Sequence, residues 1–268
     1  MIAHMETTPP PMEPIAVNPA PTTSLAARMF NVLAAPGDVF DEVKNSRPST
    51  ANWLAPVLLA LVVGIISVLI VNTQPAVLQK IHEQQTKAFE KQVQSGKMTQ
   101  AQADQAEAMA GKFTGPAFLD FVGSIAVVVI TFVRLFWWAL VLWLLGKWFL
   151  HAGFSYQQGL EVAGLISMIM ILSSIVTMLL TIWMGEWTPL NLALLSRNAD
   201  PQSLQHMVLA AGDFFDFWAA GVLAIGLARL AAVPVTKALS LIVAYWLVMD
   251  TLLVSAGWFL AHLGSGFK

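Results

Sequence analysis

The sequence predicts an all-α, polytopic integral membrane protein built on five transmembrane helices. Three observations carry this. The chain is 57% hydrophobic and only 11% charged. Its mean hydropathy is +0.67. Its apolar residues gather into long blocks at 54–71, 118–150, 160–184, 214–233 and 236–263. About 20 mostly apolar residues cross the ~30 Å hydrocarbon layer as a helix. None of the blocks alternates as barrel strands do, and a backbone in lipid must satisfy its own hydrogen bonds, so helices follow.

Residues 1–23 are predicted to be a disordered tail, rich in proline (Pro9, Pro10, Pro11, Pro14, Pro19, Pro21) and free of lysine, arginine and an apolar core. That pattern lacks both parts of a signal peptide. Residues 24–268 form the membrane domain. From Ser24 to Asn45 two short amphipathic stretches flank Pro36. The second gathers Val39, Phe40 and Val43 on one side. Pro36 and these three are the candidate interfacial or partner-binding residues, on helices that either lie in the membrane interface or pack on the bundle's end.

Span one is expected to start near Trp53, with Pro56 in its first turn, where a missing N–H costs little. Residues 76–112 read as an extramembrane helical hairpin. Ser95-Gly96 breaks it, and Thr99 with Gln102 forms a capping-box signature for its second helix. Span two is longer than a bilayer needs and should tilt or project. Spans four and five are joined by a tight turn, with Pro234 starting the latter.

Arg28, Lys44 and Arg47 precede span one, Lys147 lies between spans two and three, and Arg229 and Lys237 bracket the last turn. By the positive-inside rule these place the N-terminus in the cytoplasm and the C-terminus outside, against five lysines in the hairpin and Arg197 in the third loop.

Two ionisable residues fall near mid-membrane, Arg134 in span two and Asp250 in span five. An unpaired charge there costs at least ~2.5–3.5 kcal/mol. The two are therefore expected to form an interhelical ion pair, with a proton or ion relay as the sharper alternative. Asp213 and Asp216 open span four, and Glu161 opens span three; each reads as a cap for its helix dipole. Ser167, Ser174 and Thr181 repeat every seven residues, with Ser173 and Thr177 beside them. This stripe suits close helix packing or, alternatively, a substrate lining. Gly159–Gly164 and Gly221–Gly226 miss the GxxxG spacing by one residue and carry no weight.

The sequence contains no HExxH, P-loop, GxGxxG or GxSxG motif, and no cysteine. The expectation is a chain with no catalytic residues, no metal site and no cofactor. The net charge of −2 and the absence of a basic stretch point away from nucleic acid. The expected partners are the lipid bilayer and other membrane proteins or further copies of the chain; no small-molecule substrate is legible.

Three segments resemble the Yip domain family of Ypt/Rab-interacting-protein-like membrane proteins. Asn31-Val32-Leu33-Ala34-Ala35-Pro36-Gly37-Asp38-Val39-Phe40 is similar to the family's L-x-x-P-x-x-x-F entry to the first span. Phe154-Ser155-Tyr156-Gln157-Gln158-Gly159-Leu160 resembles its turn into the third. Asp216-Phe217-Trp218 through Gly226-Leu227-Ala228-Arg229-Leu230 resembles its fourth span and following turn. The resemblance covers about residues 30–263, with the 76–112 insertion and the proline-rich tail as departures. It implies a cytoplasmic N-terminus and a five-helix bundle, and is read as that of a bacterial relative in the inner membrane. Eukaryotic members are linked to Rab GTPases and vesicle traffic; no catalytic residue transfers. The expected function is that of a non-enzymatic membrane scaffold, partner-binding or bilayer-shaping factor. The rival is a transporter or channel subunit using Arg134 and Asp250.

Overall fold

The computed structural model describes residues 23–113, 115–196 and 203–263. The proline-rich tail up to residue 22 and Arg197 lie outside the described residues. The chain runs through α1 (Leu25–Asn31), α2 (Pro36–Asn45), α3 (Thr50–Asn72), α4 (Pro75–Gln94), α5 (Gln100–Phe113) and α6 (Pro116–Phe149). It continues with α7 (Tyr156–Leu165), α8 (Ser167–Met184), a 3₁₀ turn at Leu192–Ser196, α9 (Leu204–Ala210), α10 (Phe214–Ala231) and α11 (Val235–Leu263). Five of these units are long and apolar enough to cross a membrane: α3, α6, α7–α8 taken together, α10 and α11.

Local chemistry sets the helix ends. Ser24 caps α1 by accepting from Ala27 N at 3.2 Å. Pro36 occupies the first turn of α2, where its fixed φ suits a helix start. Thr99 and Gln102 form the reciprocal cap of α5, Thr99 N donating to Gln102 Oε1 at 2.9 Å and Gln102 N to Thr99 Oγ1 at 3.3 Å. Ser155 and Gln158 do the same for α7. α3 begins at Thr50, ahead of Trp53, so Pro56 lies inside the helix rather than in its first turn. The third span is interrupted at Ile166, between α7 and α8. α10 ends on Ala232 in a left-handed conformation (φ 53°), and α11 follows after a turn at Val233-Pro234.

We call the bundle end that carries α1 and α2 proximal and the opposite end, with α4 and α5, distal. α10 is the central span, half of its apolar window being buried, against 11% for α11, which packs along α10 at the periphery. The core lies toward the proximal end. Val32, Val39, Phe40 and Val43 pack there with Leu142, Val162, Leu165, Leu223, Leu227 and Ile242. Large apolar side chains such as Val62 of α3, Val129 of α6 and Leu252 of α11 are exposed, the surface a span offers to lipid.

Two glycines let backbones approach. A Cβ on Gly164 would stand 2.4 Å from the Cα of Trp53, so α7 and α3 touch backbone to backbone. A Cβ on Gly226 would stand 2.4 Å from Val162 Cγ1 and 3.3 Å from the Phe40 ring. Both belong to glycine pairs whose spacing gave no signal in the sequence.

Candidate functional site

Three charged residues lie at one depth in the bundle. Each is fifteen residues from the proximal end of its helix: Arg134 before Phe149, Asp216 before Ala231, Asp250 after Val235. At 1.5 Å per residue that is about 22 Å for all three. Depth alone therefore offers Arg134 two carboxylates.

The packing selects Asp216. Arg134 Nη2 donates to Asp216 Oδ1 across the α6–α10 contact. This corrects the expected Arg134–Asp250 pair. The central position of α10 gives its carboxylate to the guanidinium, while α11 packs on α10 from the periphery. Asp250 has neither a hydrogen bond nor an ion pair with any described residue.

Asp213 is the N-cap of α10, its Oδ1 accepting from Phe215 N at 2.8 Å and Asp216 N at 3.3 Å. Burial raises its carboxyl above the usual carboxylate range, and the Asp216 charge adds to that. The two backbone donors and Arg134 pull the other way.

Asp213, Asp216, Asp250 and Arg134 all line one cavity of about 1200 Å³ in the distal half of the bundle. Its distal rim carries Lys80 of α4 and Glu186 beyond α8, paired at 3.4 Å. Its walls are mostly apolar, with Ala60 and Gly64 of α3, Val127 of α6 and Met170 of α8. Toward the proximal side it reaches an aromatic group. Trp137 Nε1 donates to the Tyr245 hydroxyl at 2.7 Å, joining α6 to α11. Trp138 stands edge-on to the same tyrosine, centroids 5.6 Å apart. Trp246 meets Phe217 edge-on at 5.1 Å.

The hydroxyl stripe of the third span divides. Ser174 Oγ donates to Ser67 Oγ at 3.2 Å, and Ser67 Oγ to the Val63 carbonyl at 2.8 Å, tying α8 to α3. Thr181, fully buried, accepts from Thr188 N at 3.2 Å. Ser167 and Thr177 are buried, yet they and Ser174 also contribute to the cavity wall. The one stripe therefore packs helices and lines the cavity.

The proximal end holds a second polar assembly. Glu161 is completely buried. Its carboxylate accepts from Asn52 Nδ2 at 2.6 Å and from Ser49 N at 2.7 Å. Arg28 Nη1 donates to Asn52 Oδ1 at 3.2 Å, and Arg28 Nε pairs with Glu42 at 2.9 Å. The chain Glu42–Arg28–Asn52–Glu161 thus links α2, α1, α3 and α7. Glu161 is not the dipole cap expected from its position; Ser155 caps that helix instead. The readable signal was a pair of polar residues, Asn52 and Glu161, each just inside an apolar span.

The expected partner-binding face of α2 is likewise an inner seam. Val39, Phe40 and Val43 are buried, at 3%, 0% and 0% exposure, and Pro36 is half-buried. An apolar stripe on a short helix is satisfied by lipid, a partner or the protein's own core, and here α10 supplies the core. Arg229 of α10 closes the contact, reaching Asp41 at 3.2 Å and passing over Gly37. Among the described residues no three His, Asp or Glu side chains come together as metal ligands would.

The family model described as the Yip1 domain matches residues 30–257. That match runs from α1 into α11 and so takes in both polar assemblies. No curated protein and no solved structure matches the chain significantly.

Proposed function

We propose that this chain, which belongs to the Yip1 domain family, is a non-enzymatic integral membrane protein that holds a partner at its proximal face rather than conducting solute. The observation that carries the reading is the closure of the proximal end. Phe40, Leu142, Leu223 and Leu227 are packed at 0–1% exposure, and the Glu42–Arg28–Asn52–Glu161 chain ties four helices together there. The distal cavity is thereby blind on that side. The outward surface of the same end carries Phe30, 66% exposed, with Asp38 and Arg47 also exposed. Aromatic residues and arginine are the types enriched at protein contacts. Arg28, Lys44, Arg47, Lys147, Arg229 and Lys237 belong to this end, which supports a cytoplasmic N-terminus.

The test is a photo-crosslinking residue at Phe30 in cells, with one at lipid-facing Leu247 as the control. A protein adduct that recurs from Phe30 and is missing from Leu247 supports the reading. Lipid adducts alone from both positions overturn it.

A second reading is that of a transporter subunit, favoured by the charged cavity that Arg134 and Asp250 line. Purified protein in liposomes separates the two. Solute flux above that of empty liposomes, lost in Asp250→Asn, selects transport.

A further inference from the structure

The distal cavity combines three features that neither packing nor partner binding uses. Its volume, about 1200 Å³, exceeds the roughly 300–1,000 Å³ of a small-molecule pocket. Its wall residues Ile130 of α6 and Leu253 of α11 are more than 60% exposed, so the cavity is open along the α6–α11 side that faces lipid. Its charge is unbalanced. Arg134 is taken up by Asp216, and Asp213 by the helix start it caps, which leaves Asp250 in the wall with no protein partner among the described residues.

Four aromatic residues share the cavity wall with that carboxylate. Trp246 lies one helical turn before Asp250 on α11, which places both on one face. Trp137 and Trp138 reach the same region from α6, where they are tied to Tyr245. All four rings line the cavity. Indole and phenol faces attract cations, most strongly where water is excluded, and rings grouped beside a carboxylate recognise an organic ammonium. An anion is disfavoured because the one guanidinium in the wall is already neutralised. A metal cation is disfavoured because the walls are apolar and the carboxylates do not converge.

The geometry points to a binding site for the ammonium head of an amphiphile, with Asp250 as counter-ion, Trp137, Trp138, Tyr245 and Trp246 around the head, and the apolar tail along the walls toward α3 and α8. This inference is independent of the proximal partner face and stands or falls without it.

The test uses the full chain in phosphatidylglycerol nanodiscs and radiolabelled tetradecyltrimethylammonium as probe, with protein-free discs subtracted. Saturable binding of one probe per chain is expected, with tetradecyl sulfate failing to compete. Asp250→Asn is expected to weaken binding about tenfold or more, the loss that follows removal of a desolvated charge partner. Trp246→Leu is expected to weaken it as well, and serves as the second variant should Asp250→Asn fail to fold. No saturable excess over empty discs, or undiminished binding in the folded variants, overturns the site. Competition by phosphatidylethanolamine or phosphatidylcholine in the discs identifies the occupant as a bilayer lipid. Its absence, with probe binding retained, identifies a free amphiphilic amine.

Discussion

Arg134 of α6 and Asp216 of α10 stand at the same depth on touching helices and form an ion pair, while Asp250, equally deep on α11, stays outside it. A double-mutant cycle reads this directly. Arg134→Gln with Asp216→Asn should show a coupling of about 1 kcal/mol, toward the low end for contacting charges because both side chains also face the cavity. The cycle of Arg134→Gln with Asp250→Asn should be additive to within about 0.5 kcal/mol. Unfolding free energies in mixed micelles decide it, and a larger coupling to Asp250 would refute the assigned pair.

The Asn52–Glu161 contact should matter more to stability than any exposed charge in the protein. Glu161→Ala strands two donors, Asn52 Nδ2 and Ser49 N, and should cost about 2–4 kcal/mol. Asn52→Ala leaves the buried carboxylate short of a donor and should cost a similar amount. Arg28→Ala should leave the spans in place but loosen α1, which hydrogen exchange over residues 24–35 would register as faster amide exchange. Slow exchange there in Arg28→Ala would show that the apolar contacts of Val32 hold α1 by themselves.

The two glycines of α10 make a matched pair for testing helix contact. Gly226→Ala drives a methyl into Val162 and the Phe40 ring and should destabilise by about 1–3 kcal/mol. Gly221 has nothing within 4 Å of the added Cβ. Gly221→Ala should therefore be neutral or gain up to about 1 kcal/mol from helix propensity. Equal thermal shifts for the two variants would contradict the close approach of α10 to α7.

Asp213 sets a pH dependence at the start of α10. Its carboxyl is raised in the folded chain, chiefly by burial. The folded state then holds this proton more tightly than the unfolded state does. Its contribution to stability is fully present below the unfolded pKa and is lost as pH rises through the folded pKa. Asp213→Asn keeps a side-chain cap for α10 and removes the titrating group. Melting temperatures across the acidic range should fall less steeply with rising pH in Asp213→Asn than in the parent. Parallel profiles would place the titration elsewhere.

Much of the architecture is legible because the membrane simplifies the problem. A span must be apolar over a fixed length, so the five blocks stand out whatever they pack against. Local end chemistry is equally readable: the Thr99–Gln102 cap needs only its own turn. The site is less legible, because its residues come from different helices. Asp216 looks like a helix cap from its place at the start of a span. Its role as the partner of Arg134 depends on α10 being short, so that its third residue lies at mid-bundle depth.

The class of the protein, its five spans and the mid-membrane placing of Arg134 and Asp250 follow from residue order alone, since apolar length and helical rise need no tertiary knowledge. The rotation of each helix about its axis was set by packing. That rotation turned Val39, Phe40 and Val43 into core, buried Glu161 against Asn52, paired Arg134 with Asp216 and left Asp250 in the wall of a cavity. The physical reason is that hydropathy measures transfer into lipid, and the interior of a helix bundle is as apolar as lipid. Composition cannot separate a side chain that meets a neighbouring helix from one that meets an acyl chain.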